Sequence, residues 1–374
     1  MNEEYETKAD LLRCLPAELE AYLAARGEPK YRAGQIFSAL HRGEAVVDIS
    51  TLPKSLRASL AADTVDRLPR VAQKLVSRID GTIKYLFRLF DGACIESVLM
   101  HYEHGVTLCI SSQVGCRMGC RFCASTIGGR VRNLYASELL GQIIAAQKDS
   151  GERISHVVMM GIGEPLDNFE EVVRFLRLVN EPGGVCIGYR HISLSTCGLA
   201  DRIRDLGDLA LPITLSISLH APRDEQRSAI MPVNRRYPLA VLFDACRYYY
   251  RKTGRRISFE YTLIAGKNDT PQDAHALADC LLRAFAGTDA PLHVNLIRVN
   301  EVAETGFRRG STESVRAFAA VLEKRGIVAT VRRRLGSDVN AACGQLRRSA
   351  MAEETQKAGP VCSETDSKQK GNEA

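Results

Sequence analysis

The fold of this chain is decided by residues 111–130, which read SSQVGCRMGCRFCASTIGGR. The stretch places three cysteines in a C-x3-C-x2-C spacing, with an aromatic residue directly before the third: Cys116, Cys120, Phe122 and Cys123. Its glycines disfavour a helix and predict a loop that wraps around a bound group. Three cysteine thiolates on one loop are typical ligands of an iron–sulfur cluster. In a [4Fe–4S] cluster, three cysteines would leave one iron open to a small molecule.

The same cysteines have two other interpretations. A structural zinc site takes four ligands, commonly in C-x2-C pairs, and no second pair or nearby histidine completes such a set here. A disulfide is disfavoured because the first residues, MNEEYE, do not form a secretion signal. A zinc-stabilised RNA-binding protein therefore stays as the alternative to a cluster enzyme.

The composition sets the outer limits. The chain has 374 residues, of which 45% are hydrophobic and 25% charged, as is typical of globular proteins, and it can hold one large domain or two. No apolar run of about 18 residues occurs, so we expect no membrane span and a cytoplasmic protein. Twelve cysteines favour metal or catalytic use over a disulfide scaffold. The net charge of +6 is compatible with an RNA partner, and equally with a solvated basic surface.

The first third of the chain changes its hydrophobic period. Leucines at helical spacing predict a small all-helical domain in residues 1–68. From residue 70 the period is two, with Asp-Gly turns at 80–81 and 91–92. We therefore predict a β-hairpin extension over residues 69–104, with strands at 71–79, 82–89 and 93–101.

After this extension, strands and helices alternate. Strands are predicted at 106–111, 155–160, 191–196, 213–219, 257–263 and 293–299, and a last helix and strand at 312–324 and 327–333. Six βα units predict an α/β fold with a partial (β/α)6 barrel over residues 105–349, whose ligands bind at the carboxyl ends of the strands. The polar segment 350–374 is expected to be disordered.

Polar residues follow several of the predicted strands. Glu164 comes after a glycine-rich turn and could accept a hydrogen bond from an ammonium group. Each of these residues alone could be an ordinary loop residue, but at one barrel mouth they predict a polar pocket. The segments concerned are residues 159–165, 193–198 and 216–221, together with Asn295 and Asn300.

One further cysteine stands out near the end of the barrel. Residues 341–346 read AACGQL and follow the last predicted strand. A cysteine between small residues in a loop is not typical of core packing, although an inert loop thiol is the other interpretation of Cys343.

Together these motifs resemble the RlmN-type RNA adenine C2-methyltransferases of the radical S-adenosylmethionine (SAM) superfamily. The resemblance covers about residues 10–348. It implies a partial (β/α)6 radical SAM barrel and one [4Fe–4S] cluster per chain on Cys116, Cys120 and Cys123. It also implies a set of residues that bind SAM, which we call the pocket set: Gly163, Glu164, Ser195, Ser218, Leu219, His220 and Asn300. The matching segments are residues 28–37, 113–132, 158–165, 193–198, 218–222 and 341–346.

The resemblance also implies a reaction that consumes two SAM molecules per turnover. One SAM methylates Cys343, and the other yields a radical that takes a hydrogen from this methyl group, which then adds to adenine C2. The glutamate at Glu96 is implied as the proton acceptor. Cys109 is implied to attack the sulfur of Cys343, which releases the product and leaves a Cys109–Cys343 disulfide.

The implied partners follow from the same family. They are 23S rRNA in the peptidyl-transferase region, tRNA at the adenosine 3′ of the anticodon, and a low-potential electron donor such as flavodoxin or ferredoxin, with the enzyme acting as a monomer. A C8-methylating antibiotic-resistance branch shares these residues and is the nearest alternative. The run Ala-Ser-Thr-Ile-Gly-Gly after Cys123 resembles the C2 branch more closely.

Overall fold

A computed structural model describes residues 8–300 and 306–339 of the chain. Cys343 and the segment 350–374 lie outside the described residues, so the predictions made for them stay predictions. Among the described residues, no helix is both long and apolar enough to cross a membrane.

The N-terminal part is helical, as the leucine spacing predicts. Pro16 stands at the first position of its helix, where its missing N–H costs no hydrogen bond. The helices turn their buried leucines toward one another, and Glu18 of the first helix forms an ion pair with Arg174 of the barrel. The helices are α1 (Pro16–Ala24), α2 (Tyr31–His41) and α3 (Lys54–Asp63).

A single ten-stranded sheet continues from the hairpin extension into the barrel. The first four strands are antiparallel neighbours: β1 (Arg70–Val76), β2 (Ile83–Arg88), β3 (Cys94–Tyr102) and β4 (Gly105–Cys109). From β4 onward every pairing is parallel. These parallel strands are β7 (His156–Met159), β8 (Ile192–Thr196), β9 (Thr214–Ser218), β10 (Ile257–Leu263), β11 (His293–Arg298) and β12 (Val328–Val331).

Helices connect the parallel strands, so the predicted α/β class with six βα units is confirmed. Their apolar faces pack on one face of the sheet, on residues such as Leu194, Ile217 and Phe259. The helices are α4 (Ala136–Ser150), α5 (Phe169–Asn180), α6 (Ala200–Asp208), α7 (Asp224–Ile230), α8 (Leu239–Thr253), α9 (Pro271–Ala284) and α10 (Thr312–Lys324).

Two short features were not predicted from the sequence. Helices α6 and α7 have nine and seven residues, which is too short for a clear apolar period. The cysteine loop is enclosed by a separate two-stranded ribbon of β5 (Gln113–Gly115) and β6 (Arg130–Asn133), whose strands are shorter still.

The two ends of the large sheet are linked beyond β12. The Gly336 amide donates to Asp80 Oδ2 at 2.8 Å, and Asp338 Oδ2 accepts from the Arg78 amide at 2.8 Å. Asp80 and Arg78 belong to the turn between β1 and β2, at the opposite edge of the sheet. We call residues 332–339 the C-terminal strap. The strap brings the end of the barrel back to its beginning.

Candidate active site

The cysteine loop is closed at its base by the β5–β6 ribbon. The Cys116 amide donates to the Gly129 carbonyl at 3.0 Å. Gly115 has a φ of +78°, and a Cβ built there would lie 2.0 Å from the Gly129 oxygen. Only glycine fits this position, so the residue before the first cysteine fixes the path of the loop.

The three thiols of the loop are buried or half-buried. Cys116 and Cys120 are 6% and 8% exposed, and Cys123 is half-buried. Burial raises the pKa of Cys116 to about 12, while an N–H donated by Met118 to its sulfur opposes this rise. Burial and the charges of the two neighbouring thiols also raise the pKa of Cys120. The raised pKa values mean that deprotonating these buried thiols costs free energy. A bound metal group offsets this cost, because it binds the cysteines as thiolates.

The donor set fits an iron–sulfur cluster. Three soft thiol donors lie close enough together to influence each other's charge, in a pocket with little access to water. Within residues 8–300 and 306–339, no three His, Cys, Asp or Glu side chains converge on a point that a single metal ion could occupy.

The surroundings of the loop are apolar. Cys120, Cys197 and Met231 form a buried cluster, and Phe122 packs against it. The Phe122 ring meets the His220 ring edge to face, with ring centres 4.7 Å apart. The aromatic residue of the motif thus connects the cysteine loop to the end of β9.

The turn after β7 is held by Glu164. One carboxylate oxygen accepts from the Leu166 amide at 3.0 Å, and the other accepts from the Cys197 amide at 2.7 Å. Burial raises the pKa of Glu164. Its carboxylate therefore joins the turn after β7 to the end of β8. Gly163 has a φ of +108° and lies so close to Gln113 that a Cβ would meet Gln113 Cβ at 2.6 Å.

The other residues of the pocket set lie at the carboxyl ends of three strands. Ser195 and Ser218 are half-buried on β8 and β9, whereas Asn300 is exposed two residues after β11. The Leu219 side chain is fully buried, so only its backbone can face a ligand. His220 is buried and its Nδ1 accepts from the Thr262 amide at 2.9 Å; burial, followed by the charge of Arg227, lowers its pKa to about 3. The structure thus gathers six of the seven residues around the strand ends and leaves Asn300 at the rim.

The inner face of the sheet is unusually polar. Residues directly paired across neighbouring strands share a face, so the register assigns these side chains to the side away from the helices. We call this set the interior layer. It comprises Lys84, Glu96, Cys109, Ser193, Ser195, Ser216, Ser218, Ser258, Glu260, His293, Asn295 and Thr330.

The predicted proton acceptor Glu96 lies in the interior layer as half of a buried ion pair. Its Oε2 is 3.3 Å from Lys84 Nζ, and both side chains are 1% exposed. Cys109 pairs with Val98, two residues from Glu96, so Glu96 and Cys109 share one face. The structure thus brings these two predicted residues together.

Glu260 is a second buried carboxylate in the interior layer. Asn295 donates to its Oε2 at 2.7 Å, and Ser258 Oγ lies 3.1 Å from its Oε1 and 2.9 Å from His293 Nδ1. Burial raises its pKa, against the charge of Arg332. Glu260 and Lys84 were missed from the sequence, although a charged residue inside an otherwise apolar strand is the signal that could have identified both.

Arg227 is a third residue that the sequence did not reveal. It is fully buried on the short helix α7. Its guanidinium donates to the carbonyls of Cys197 and Ser218 at 2.7 and 3.0 Å, and to that of Leu219 at 3.0 Å. It therefore fastens the ends of β8 and β9 together directly behind the cysteine loop.

Comparisons with known proteins agree with this geometry. The family model of the radical SAM superfamily matches residues 110–280. A probable dual-specificity RNA methyltransferase RlmN of Alkaliphilus oremlandii is 52% identical over 342 residues, which cover 91% of this chain and 98% of that protein. A protein of the same name from Clostridium novyi is 48% identical over 334 residues, covering 88% and 95%. A crystal structure of a radical SAM methyltransferase from Sphaerobacter thermophilus is 43% identical, with a TM-score of 0.84 over 90% of this chain and 98% of that one.

Proposed function

Because this chain belongs to the RlmN family of radical SAM methyltransferases, we propose that it methylates C2 of an adenosine in the peptidyl-transferase region of 23S rRNA and of the adenosine 3′ of the anticodon in tRNA. It uses a [4Fe–4S] cluster and SAM. When bound, these two groups supply the methyl group and the radical that the reaction needs.

The observation that carries the proposal is the position of Glu96 and Cys109 on one buried face. In the proposed reaction both act on the same RNA adduct, in which a methylene group joins adenine C2 to the sulfur of Cys343. Glu96 takes a proton from the base, and its Oε2 lies 3.3 Å from Lys84 Nζ on the same buried face. Cys109 is buried beside it and accepts an N–H from Met160.

The release step then balances within the chain. The Cys109 thiolate attacks the Cys343 sulfur, and a sulfur–sulfur bond forms as the bond from Cys343 to the methylene carbon breaks. The electron pair of the broken bond goes to that carbon, which takes a proton and becomes the methyl group of the product. An external thiol or other reductant must return the Cys109–Cys343 disulfide to two thiols.

The strap leads directly toward Cys343 in the sequence. Cys343 follows Val339, the last described residue of the strap, by four residues. The strap itself contacts Met160 through Arg332, and the turn between β1 and β2 through Asp338.

The cofactor residues follow from the described site. We assign the cluster to Cys116, Cys120 and Cys123, and SAM to the pocket set. Of that set, Glu164 already accepts two backbone amides, so a hydrogen bond from SAM would use the remaining lone pairs of its oxygens. We further propose a monomer in the cytoplasm, an electron donor of the flavodoxin or ferredoxin type, and the division 1–68, 69–104, 105–349 and 350–374.

The test is an anaerobic reconstitution with iron and sulfide, followed by SAM, dithionite and an unmodified rRNA fragment. The expected product is 2-methyladenosine, identified by mass spectrometry after nuclease digestion. We expect Cys343→Ala to abolish methylation, and Cys109→Ala to trap a covalent RNA–protein adduct. A product of 8-methyladenosine would move the chain to the C8 branch, and free methylated RNA from Cys109→Ala would refute the role of Cys109.

A further inference from the structure

One arginine of the strap spans the mouth of the barrel. The Arg332 amide donates to the Leu296 carbonyl at 2.9 Å and so continues the pairing of β12 with β11. The guanidinium nevertheless reaches Met160, where Nη1 lies 3.6 Å from the sulfur. Met160 directly follows β7, and four strands separate β7 from β12 in the sheet. The side chain therefore crosses the open side of the barrel.

In the part of the chain that the structure describes, this guanidinium is not paired with a carboxylate. Among residues 8–300 and 306–339, no Asp or Glu side chain forms an ion pair with Arg332, and the Met160 sulfur is only a weak acceptor. Burial raises the pKa of Glu260 and the positive charge of Arg332 opposes this rise, although the two side chains do not form an ion pair. Besides the Met160 sulfur, no described side chain accepts from this guanidinium, and a half-buried cation of this kind would stabilise an anion formed later beside it.

Cys109 is a neighbour of Met160, because it pairs with Val158 of β7 and Met160 stands two residues further along on the same face. The Met160 amide donates to the Cys109 sulfur, while the Met160 side chain contacts Arg332. Burial is the largest influence on the Cys109 pKa and raises it, and the charge of Glu96 raises it further. Lys84 offsets the charge of Glu96, and Arg332 favours the thiolate directly. The charged groups that act on Cys109 are therefore Glu96, Lys84 and Arg332. The Met160 amide is the hydrogen-bond donor beside them.

We propose that Arg332 is the positioning residue that stabilises the Cys109 thiolate when it attacks the Cys343 sulfur and releases the methylated RNA. The inference rests on the proposed function. The inference adds Arg332 to the residues that the family resemblance assigns. It also explains how the Cys109 thiol, which is buried near the Glu96 carboxylate, becomes a nucleophile.

The experiment compares Arg332→Met with Arg332→Lys and with the matched variant Arg333→Met. Arg333 is the next residue of the strap and is exposed. Its substitution by methionine removes the same positive charge. Two quantities are measured in the anaerobic, cluster-loaded enzyme. One is the decay of the covalent RNA–protein adduct in a single turnover, followed on denaturing gels from pH 6.5 to 9.5. The other is the rate of Cys109 alkylation by iodoacetamide without RNA, followed by peptide mass spectrometry over the same pH range.

For Arg332→Met we expect adduct decay about tenfold slower near neutral pH, because the thiolate fraction falls about tenfold for each unit by which the thiol pKa rises. Decay should recover as the pH increases, and the pH midpoint of Cys109 alkylation should move upward. Arg332→Lys should lie between this variant and the unsubstituted enzyme, and Arg333→Met should change neither quantity. Equal iron content and equal melting temperatures show that the variants are folded.

The inference is overturned if Arg332→Met leaves both adduct decay and Cys109 alkylation unchanged. If it raises only the RNA concentration needed for half-maximal rate, the arginine binds an RNA phosphate and the inference is also wrong. The Cys109→Ala enzyme in the same assay separates this outcome from a failure of the proposed function. An adduct trapped by Cys109→Ala keeps the function, whereas its absence removes both.

Discussion

The cysteine loop and the interior layer are both buried and polar, but the chain builds them in different ways. The loop takes its three thiols from eight consecutive residues, and a short ribbon fixes its shape. The interior layer takes its groups from strands that begin at β2 and end at β12, so its members are up to 246 residues apart (330 − 84 = 246). One site depends on local geometry, and the other depends on the register of nine strands.

This difference predicts how each site responds to damage. A local site fails completely when one ligand is lost, because no neighbouring group can replace it. A distributed layer should lose stability in steps, according to the charge and burial of the residue that is removed.

The largest effect is expected at the cysteine loop. Cys120→Ala removes one of three ligands, so the enzyme should lose the cluster and all methylation. Iron content, the visible absorbance of the cluster and the yield of 2-methyladenosine measure this. Cys186→Ala is the control, because Cys186 is exposed and far from the loop in sequence. A Cys120→Ala enzyme with full iron content would show that the loop is not the cluster site.

The second effect concerns the charged pair of the interior layer. Lys84→Met leaves the buried Glu96 carboxylate without its ion pair and should lower the free energy of unfolding by about 3–5 kcal/mol. Combining it with Glu96→Gln should recover part of this loss. Urea unfolding of the apoprotein is the measurement. The control Arg202→Met breaks an exposed pair with Asp205 and should cost less than about 1 kcal/mol. If Lys84→Met and Arg202→Met lowered the free energy of unfolding equally, the pair of Lys84 with Glu96 would not behave as a buried ion pair.

The smallest effect concerns a neutral member of the same layer. Ser258→Ala removes a hydroxyl between the Glu260 carboxylate and the His293 ring, and should cost about 1–3 kcal/mol of unfolding free energy. Ser55→Ala, at an exposed position of α3, should stay within about 0.5 kcal/mol. A Ser258→Ala protein as stable as Ser55→Ala would mean that the layer is not a connected network.

The comparison also explains what could be predicted from the sequence. The cysteine spacing is a local signal, and the alternation of strands with helices is visible in the hydrophobic period, so the cluster loop and the α/β fold were both accessible. The polar residues after each strand were accessible for the same reason, since the carboxyl ends of parallel strands meet at one edge. The assignments of these residues to SAM, and of the chain to four parts, stay predictions.

The interior layer could not be predicted from the sequence, because it depends on pairing between distant strands. Lys84 and Glu260 appear in the sequence as charged residues in apolar strands, and only the register shows that they share a face with Cys109. The contact of Arg332 with Met160 depends on the strap, which folds back across the mouth and was not visible in the sequence.

Several predicted strand ends differ from the structure by one to three residues, and the end of the first barrel strand does so for a local reason. The first barrel strand was predicted to continue to residue 111, but β4 ends at Cys109. The Ser111 hydroxyl donates to the Glu96 carbonyl at 2.6 Å, and the Ser112 amide donates to the Ile162 carbonyl at 2.8 Å. These bonds turn the chain out of the sheet and into the cysteine loop.

The position of the strap at the end of the chain also orders events during synthesis. Arg332 is made 209 residues after Cys123 (332 − 123 = 209), which is roughly 10–40 s of translation at 5–20 residues per second. Throughout that interval the cluster ligands and Cys109 already exist, while the side chain that crosses the barrel mouth does not. During that interval the nascent chain lacks the side chain that later crosses the barrel mouth, and Cys109 lacks the cation that we propose for it until the last strand has joined the sheet.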